Sequence, residues 1–190
     1  MSAGRLVYLM GPSGAGKDSV LQALQLHAGD RPLRIARRVI TRSAEAAGED
    51  AISVSLQEFD ECERAGDFAM VWRANGLAYG IPRQIDGWLA DGYQVIVNGS
   101  RGFLEEARQR YPDLIAVLLE VEQAILRQRL VARGREDMDQ INARLLRGAA
   151  LGSSMFMQGD KRIVRLDNST SLENTVRRML QLIDSGSAGR

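Results

Sequence analysis

The chain has 190 residues, of which 45% are hydrophobic and 26% are charged, and its formal net charge is +1. This balance is typical of one globular domain with a substantial core, and it lacks the basic field of nucleic-acid-binding proteins. The longest apolar run, Leu114 to Leu119, is too short to cross a bilayer. We therefore expect neither a nucleic-acid partner nor a membrane span, and the oligomeric state stays open.

Few residues of the chain are suited to redox or histidine chemistry. Cys62 is the only cysteine, and the N-terminus has no signal-peptide pattern, so a reducing, cytoplasmic location is expected. His27 is the only histidine, which argues against a Ser-His-Asp triad or a histidine metal site. Lys17 and Lys161 are the only lysines among many arginines. Position 17 therefore indicates a site where a compact ammonium matters.

Short apolar segments alternate with segments of helical spacing along most of the chain. The predicted strands are 5–10, 33–40, 52–54, 68–74, 77–79, 94–97, 114–120 and 163–166. The predicted helices are 18–26, 55–66, 83–89, 103–111, 123–133, 137–147 and 170–183. This alternation predicts an α/β fold, a parallel sheet with helices on both faces.

Local signals mark the ends of several elements. Ser55 to Glu58 and Thr170 to Glu173 both have the capping-box pattern that begins a helix. Asn75-Gly76 predicts a hairpin, and Pro82 stands where a helix would begin. The stretch from about 34 to 82 breaks the strand–helix alternation. We therefore expect a single domain, 1–190, with a core of 1–33 and 83–190 and an inserted lobe of about 34–82.

A glycine-rich turn follows the first predicted strand and precedes the first predicted helix. In this context the turn is predicted to be a P-loop, whose backbone N–H groups and helix N-terminus bind phosphates. Lys17 would reach the β- and γ-phosphates of a bound nucleotide. ATP and Mg²⁺ are therefore the expected cofactors. The loop consists of Gly11, Pro12, Ser13, Gly14, Ala15, Gly16 and Lys17.

The residue after the lysine departs from the usual P-loop pattern. That pattern has Ser or Thr directly after the lysine, where the hydroxyl holds Mg²⁺. Here Asp18 stands at that position and Ser19 follows. Either Ser19 takes the hydroxyl role, or Asp18 acts on the metal through a water. Asp18 is also a residue that simply favours a helix start.

Beyond the loop, the chain from about Leu6 to Ile183 resembles the guanylate-kinase branch of nucleoside monophosphate kinases. The resemblance rests on the loop, on Thr41-Arg42 followed by Gly48-Glu49, on Gly66-Asp-Phe68 and on Tyr79-Gly80. It implies a P-loop kinase fold with an acceptor-binding lobe and a lid of about 129–147. It also implies that the lid arginines are Arg129, Arg133 and Arg144, and that Asn168 lies near the adenine.

Three departures separate the chain from guanylate kinases proper. Met70 stands where that branch has the glutamate that reads the guanine edge. No second arginine follows Arg42 within Ser43 to Ala47, and Asn98 replaces the aspartate at the end of the acceptor strand. An apolar side chain cannot accept the hydrogen bonds that a guanine edge offers, so these departures argue against a guanine acceptor.

The departures are similar to those of a narrower family, the ribose 1,5-bisphosphate phosphokinases of phosphonate utilisation. The matching segments, in chain order, are RRVITR, GED, WRANGLAYGIP, DGWLADGYQVIVNGSR and RLVARGRE. One mismatch is Asn75, where that family tends to carry histidine. The resemblance implies transfer of the γ-phosphoryl of ATP to ribose 1,5-bisphosphate, which yields 5-phosphoribosyl 1-diphosphate.

The same resemblance implies a role for each candidate residue. Lys17, Arg133 and Arg144 would act in phosphoryl transfer, while residues 11–19, Arg129 and Asn168 would bind the nucleotide. Arg38, Arg42 and Arg101 would bind acceptor phosphate. The candidates for ribose hydroxyls or metal-bound water are Glu49, Asp50, Asn98 and Ser100.

Some roles have a structural alternative. Tyr79 is equally compatible with the acceptor site and with the core, whereas Trp72 and Trp88 are interpreted as packing residues. Two other functions remain open: a nucleoside monophosphate kinase, and a guanylate-kinase-like binding module without catalysis. Met70 argues against the first. Lys17 and the three lid arginines argue against the second, because a binding module has no transition state to neutralise.

Overall fold

The computed structural model describes residues 4–42, 50–134, 136–152 and 159–187. The strands are β1 Leu6–Met10, β2 Leu33–Ala36, β3 Val39–Ile40, β4 Ile52–Ser53, β5 Phe68–Ala74, β6 Leu77–Pro82, β7 Gln94–Asn98, β8 Ile115–Glu120 and β9 Ile163–Asp167. The helices are α1 Lys17–His27, α2 Leu56–Ala65, α3 Gln84–Ala90, α4 Leu104–Arg110, α5 Gln123–Arg133, α6 Met138–Gly152 and α7 Leu172–Ser187. A 3₁₀ turn, Arg101–Phe103, precedes α4. The predicted α/β fold is confirmed.

Five parallel strands form the core sheet, in the order β2-β7-β1-β8-β9. All residues of β1 and of β7 are buried, which is why β1 and the middle of β7, Val95 to Val97, are apolar without alternation. The central strand β1 leads into the P-loop, and its neighbour β7 ends beside it at Asn98. This carboxyl edge is where open α/β sheets bind ligands.

Each face of the core sheet packs against a different layer. On one face, Val7, Leu9 and Ile96 pack with α1 and α7, whose buried residues include Leu24 and Met179. The other face packs against α3, α4 and the second sheet; its buried residues include Tyr8, Met70, Trp72, Ile81 and Leu104. Helices thus cover one whole face and part of the other.

The second sheet has four strands, in the order β4-β3-β6-β5. Strands β5 and β6 form the predicted hairpin, with Asn75 at φ 53° and Gly76 at φ 75°, as a type I′ turn requires. The predicted start of the inserted lobe, at about residue 34, falls within the core sheet. Residues 34–36 belong to β2, which pairs with β7 in that sheet, so the second sheet begins at Val39. The division into core, lobe and lid as functional units stays a prediction.

Two of the four predicted element ends differ from the structure. Ser55 and Glu58 form the predicted capping box at α2. The helix α7 begins one residue later than its pattern indicated, because the Ser171 hydroxyl, not Thr170, accepts from the Asn174 amide at 3.4 Å. Pro82 ends β6 rather than beginning α3.

Helices α5 and α6 form a hairpin at one end of the sheet. Their contact is a small apolar cluster that includes Leu126, Leu130, Ile141 and Leu145. Gly134, at φ 64°, ends α5 as predicted, and α6 extends to Gly152, five residues beyond the expected end. In the residues that the structure covers, no helix is both long and apolar enough to cross a bilayer.

Candidate active site

The P-loop links β1 to α1 through two glycines with positive φ, Gly14 at 86° and Gly16 at 88°. The Ala15 amide donates to the Pro12 carbonyl at 3.1 Å, which closes the turn. The Lys17 ammonium lies across the loop and donates to the carbonyls of Gly11 at 2.9 Å and Pro12 at 3.1 Å. The lysine thus lies at the mouth of the loop, where a nucleotide's terminal phosphates bind in a P-loop.

Asn168 and Arg129 border the loop from the side of β9 and α5. The Asn168 amide is buried, donates to the Ala15 carbonyl at 2.7 Å and accepts from the Thr175 hydroxyl at 2.8 Å. Arg129 donates through Nη2 to the backbone carbonyl of Asn168 at 2.8 Å. Its other terminal nitrogen, Nη1, has no hydrogen-bond partner among the described residues. Arg129 and Asn168, two of the residues predicted to bind the nucleotide, are therefore in contact.

Helix α6 lies over the loop. The Arg144 guanidinium donates to the Ser13 hydroxyl at 2.5 Å and also forms an ion pair with Glu136. Farther along the helix, Gly148 faces Pro12: a Cβ on Gly148 would lie 3.6 Å from the Pro12 Cβ. Arg144 is thus brought to the P-loop, as the lid prediction requires.

Asp18 and Asn98 meet at the carboxyl edge of the core sheet. The Asn98 amide nitrogen donates to the Asp18 carboxylate at 3.3 Å. Asn98 is only 5% exposed, and its carbonyl oxygen Oδ1 has no hydrogen-bond partner in the part of the chain that the structure describes. Ser19, the alternative metal residue, is exposed on α1. The first-turn side chain that contacts the edge of the sheet is therefore Asp18.

A cleft beside α1 is lined by residues that include Asp18, Arg38, Asp50 and Asn98. Asp50 forms an ion pair with Arg37 at 2.7 Å. The Arg38 guanidinium lies 5.1 Å from the centre of the Tyr79 ring, a cation–π contact. The cleft thus brings together Asp18, predicted for the nucleotide and metal site, and three residues predicted for the acceptor site: Arg38, Asp50 and Asn98.

Tyr79 continues into a row of aromatic rings. Its ring stacks on that of Trp72 at 5.4 Å between centroids, and Trp72 also stacks with Phe103 at 5.6 Å. Tyr79 therefore contacts both Arg38 of the cleft and Trp72 of the core, and its role at the acceptor site stays a prediction. Trp72, 8% exposed, is a packing residue as predicted.

Arg42 and Arg133 are not among the residues that line this cleft. Arg42 lines a groove on the second sheet with Thr41, Arg73 and Asn75, and that groove shares no lining residue with the cleft of Arg38. Arg133 ends α5 with an exposed side chain. Glu49 lies outside the described residues. The roles of all three stay predictions.

The sequence analysis missed Tyr8, which holds the turn after β7. Its buried hydroxyl donates to the Ser100 carbonyl at 3.0 Å and accepts from the Ser100 amide at 2.9 Å. Burial raises the pKa of this phenol, so the group stays neutral and can do both. Gly99 has no room for a side chain, because a Cβ there would lie 2.2 Å from the Tyr8 ring. A polar atom inside an apolar strand was the available signal.

The turn that Tyr8 holds carries Ser100 and Arg101. The Ser100 hydroxyl accepts from the Gly102 amide at 3.3 Å and caps the 3₁₀ turn, so it is a structural group here. Arg101 is half-buried and donates to the Gly148 carbonyl of α6 at 3.0 Å. The turn after β7 thus contacts the helix that lies over the P-loop.

Met70 lies on β5, where the resemblance places the base-reading position. It is 3% exposed and packs in the apolar cluster that includes Tyr8, Met10 and Trp72. The position therefore offers no hydrogen-bonding side chain to a substrate.

A phosphate loop after the central parallel strand, with arginine-bearing helices over it, is the architecture of a P-loop kinase. Solved structures agree on the fold. A guanylate kinase from Anaplasma phagocytophilum matches with a TM-score of 0.66 and 20% identity, covering 97% of this chain and 87% of that one. A gluconokinase from Sinorhizobium meliloti matches with a TM-score of 0.52 and 21% identity, covering 96% of this chain and 93% of that one.

Curated relatives narrow this class to one family. A ribose 1,5-bisphosphate phosphokinase PhnN from Pseudomonas paraeruginosa is 60% identical over 93% of this chain and 94% of the relative. Relatives of the same name from Azotobacter vinelandii and Pseudomonas fluorescens are 57% and 53% identical over 95% and 97% of this chain, and over 96% and 97% of their own lengths. The chain belongs to the ribose 1,5-bisphosphate phosphokinase PhnN family. No protein-family model matches it.

Proposed function

We propose that this protein transfers the γ-phosphoryl group of ATP to ribose 1,5-bisphosphate and so forms 5-phospho-α-D-ribose 1-diphosphate. The observation that carries this proposal is the near-full-length similarity to relatives that bear the name of this activity, at up to 60% identity. The apolar burial of Met70 supports it, because an acceptor without a base needs no hydrogen-bonding partner at that position.

On the donor side, the P-loop and Lys17 would bind the phosphates of ATP. The Lys17 ammonium lies against the carbonyls of Gly11 and Pro12 and would bind the β- and γ-phosphates when the nucleotide occupies the loop. Asn168 and Arg129 would border the nucleotide where they meet the loop at Ala15.

The edge formed by Asp18 and Asn98 fits a hydrated Mg²⁺ ion. Carboxylate oxygens are ligands that Mg²⁺ favours. The buried Asn98 Oδ1 has no donor among the described residues, and a metal-bound water or a ribose hydroxyl would supply one. Asp18 would hold the ion through a water, with Ser19 as the alternative. Bound there, Mg²⁺ would neutralise charge on the transferred phosphoryl group.

The chemical step needs no general base. A phosphate oxygen of the acceptor, already anionic near neutral pH, forms the bond to the γ-phosphorus as the bond to the β–γ bridging oxygen breaks. Catalysis then consists of positioning and charge neutralisation. A mechanism without a general base agrees with the position of the single histidine of the chain, His27, which is exposed at the end of α1.

Arginines would supply most of that neutralisation. Arg144, in contact with Ser13, is the lid residue nearest to the loop by its described contacts, and Arg133 would join it. Arg38 would bind acceptor phosphate from the cleft beside Asp18, with Asp50 and Tyr79 close by. Arg42, which lines the separate groove, would complete the acceptor site by approaching the cleft when the substrate binds. Glu49, outside the described residues, is the further candidate for this site.

The setting of this activity is part of the same proposal. A cytoplasmic location is supported by the lone Cys62, which is unpaired by any disulfide. ATP, ribose 1,5-bisphosphate and Mg²⁺ are all small species, so no macromolecular partner is required.

A coupled ADP-release assay tests the proposal with three acceptors: ribose 1,5-bisphosphate, GMP and AMP. We expect the highest kcat/KM with ribose 1,5-bisphosphate. A higher value with GMP or AMP would return the chain to the nucleoside monophosphate kinases. No ADP release with any acceptor, from a folded protein that binds ATP, would favour a binding module.

A further inference from the structure

Arg101 is a half-buried cation with no described counter-ion. Within 4–42, 50–134, 136–152 and 159–187, no acidic side chain forms an ion pair with it, and its described hydrogen bond goes to the Gly148 carbonyl at 3.0 Å. Burial alone lowers the pKa of its guanidinium, with no carboxylate acting in the opposite direction. A partly desolvated charge without a partner is unfavourable, and such a charge is stabilised when an anion binds.

The position of this cation is at the junction of the two substrate sites. Arg101 follows β7, which pairs with β1 so that Asn98 lies opposite Leu9, directly before the P-loop. Its partner Gly148 faces Pro12 of that loop. The guanidinium therefore lies where the acceptor edge, the mouth of the P-loop and helix α6 meet.

The backbone that carries Arg101 is firmly held. Tyr8 makes two hydrogen bonds with Ser100, and the Ser100 hydroxyl caps the 3₁₀ turn through Gly102. Gly99 is in close contact with the Tyr8 ring. A site that must bind a phosphate within a narrow range of geometry gains from such support, because less ordering remains to be done on binding.

We propose that Arg101 contacts phosphate at the junction of the donor and acceptor sites, and that its bond to the Gly148 carbonyl couples phosphate binding to the ordering of α6. This inference rests on the proposed function for the identity of the phosphates. A guanidinium has five N–H donors in a planar fork, so one edge can remain on Gly148 while another faces a phosphate. A lysine at this position would lack that fork.

The test compares Arg101→Gln and Arg101→Lys with the wild type and with Arg147→Gln. Arg147 is an exposed arginine on α6, one residue before Gly148, and has no proposed role, so it is the matched control. Steady-state kinetics with ATP and ribose 1,5-bisphosphate are measured for each variant. Amide hydrogen exchange across α6 is measured with and without ADP, Mg²⁺, aluminium fluoride and ribose 1,5-bisphosphate.

We expect Arg101→Gln to lower kcat/KM for the acceptor about 100-fold, the size of effect seen when one donor to a developing oxyanion is removed. Arg101→Lys should recover part of that loss, and Arg147→Gln should match the wild type. The ligand-induced gain in protection across α6 should be lost in Arg101→Gln. If Arg101 only braces the helix, protection falls in the ligand-free protein and the ligand-induced gain is unchanged.

That second outcome, or wild-type kinetics for Arg101→Gln, would overturn the proposal. Failure of the proposed function looks different, because the wild-type protein itself would then not turn over ribose 1,5-bisphosphate. Arg101→Lys keeps the experiment decisive if the glutamine variant does not fold: a lysine variant with wild-type kinetics and a wild-type gain in protection would also overturn it.

Discussion

Asn168 lies directly against Gly16 of the P-loop, and a Cβ on Gly16 would approach its amide nitrogen to 2.8 Å. The glycine is therefore required for two reasons, its φ of 88° and the space that Asn168 occupies. Because the same amide bonds the Ala15 carbonyl, strand β9 and the P-loop behave as one unit.

Replacing Asn168 by alanine should destabilise this unit. The Ala15 carbonyl would lose the hydrogen bond from the side chain, at a cost of about 1–3 kcal/mol for a buried unsatisfied group, whereas the Thr175 hydroxyl keeps the carbonyls of Asp167 and Ser171 as acceptors. We expect a lower free energy of unfolding in urea and weaker ATP binding by calorimetry. Asn174→Ala, on the exposed side of α7, is the control and should change neither. Unchanged ATP affinity in Asn168→Ala would contradict a role at the nucleotide site.

Lys17→Ala should abolish turnover while leaving the fold intact, because the ammonium is expected to bind the transferred phosphoryl group. Lys17→Arg should rescue little of the activity, since a planar guanidinium does not occupy the compact position between the carbonyls of Gly11 and Pro12. ADP release measures the activity, and far-ultraviolet circular dichroism checks the fold. Turnover at the wild-type rate in a folded Lys17→Ala protein would refute the role.

The lid, residues 129–147, should become more protected when substrates bind. Arg129 and Arg144 carry buried guanidinium nitrogens, Nη1 and Nε respectively, that lack hydrogen-bond partners among the described residues and would gain them from phosphates. Amide hydrogen exchange with a bisubstrate analogue should slow across α5 and α6. Helix α2, whose capping box lies on the second sheet's side of the molecule, is the internal reference and should change little. Equal exchange with and without the analogue would count against a closing lid.

Acceptor choice should not be reversed by one substitution at Met70. Met70→Glu would introduce a carboxylate at a position that is 3% exposed, so we expect a loss of stability rather than a new GMP activity. The second phosphate-binding arginine of guanylate kinases after Arg42 is also absent. Thermal unfolding and kinetics with GMP measure the two effects, and Met70→Gln is the uncharged comparison. Efficient phosphorylation of GMP by a stable Met70→Glu protein would be the contrary result.

Asp160 should make the protein sensitive to acid. Burial raises the pKa of this carboxyl, but hydrogen bonds from Arg108 and Arg162 outweigh burial and lower it to about 2, below its ordinary value of 3.8. The stabilisation is therefore complete above about pH 4 and is lost as the pH falls from about 4 toward 2. Asp160→Asn should flatten this part of the curve of unfolding free energy against pH. A curve identical to that of the wild type would exclude the contribution.

The sequence predicted the fold well wherever a local signal and the tertiary structure agreed. The buried strand 114–120, the Asn75-Gly76 hairpin and the Ser55 capping box each combine an apolar or turn pattern with the chemistry that stabilises it. At α7 two hydroxyl residues stand side by side, and the sequence alone favoured Thr170 over Ser171. Only the path of the chain after β9 decides which one caps the helix.

The site was predictable where it follows from a local motif and not where it depends on pairing between distant segments. The P-loop is one continuous run, so its residues and Lys17 could be identified directly. Tyr8, Gly99 and Arg101 act together only because β1 and β7 are neighbours in the sheet. The same limit applies to Arg38 and Arg42: they are close in sequence but line separate cavities, because β2 and β3 belong to different sheets.

The row of rings from Tyr79 to Phe103 has an optical consequence. Trp72 is one of only two tryptophans in the sequence. Its indole stacks on the Tyr79 ring, and Tyr79 also makes the cation–π contact with Arg38. Any acceptor that draws Arg38 onto a phosphate alters the electric field along this row and therefore the emission of Trp72. Trp88, in α3, contributes a steady background that Trp88→Phe would remove. Trp72 is thus connected to the cleft through Tyr79, and we expect its intrinsic fluorescence to report acceptor binding without a label.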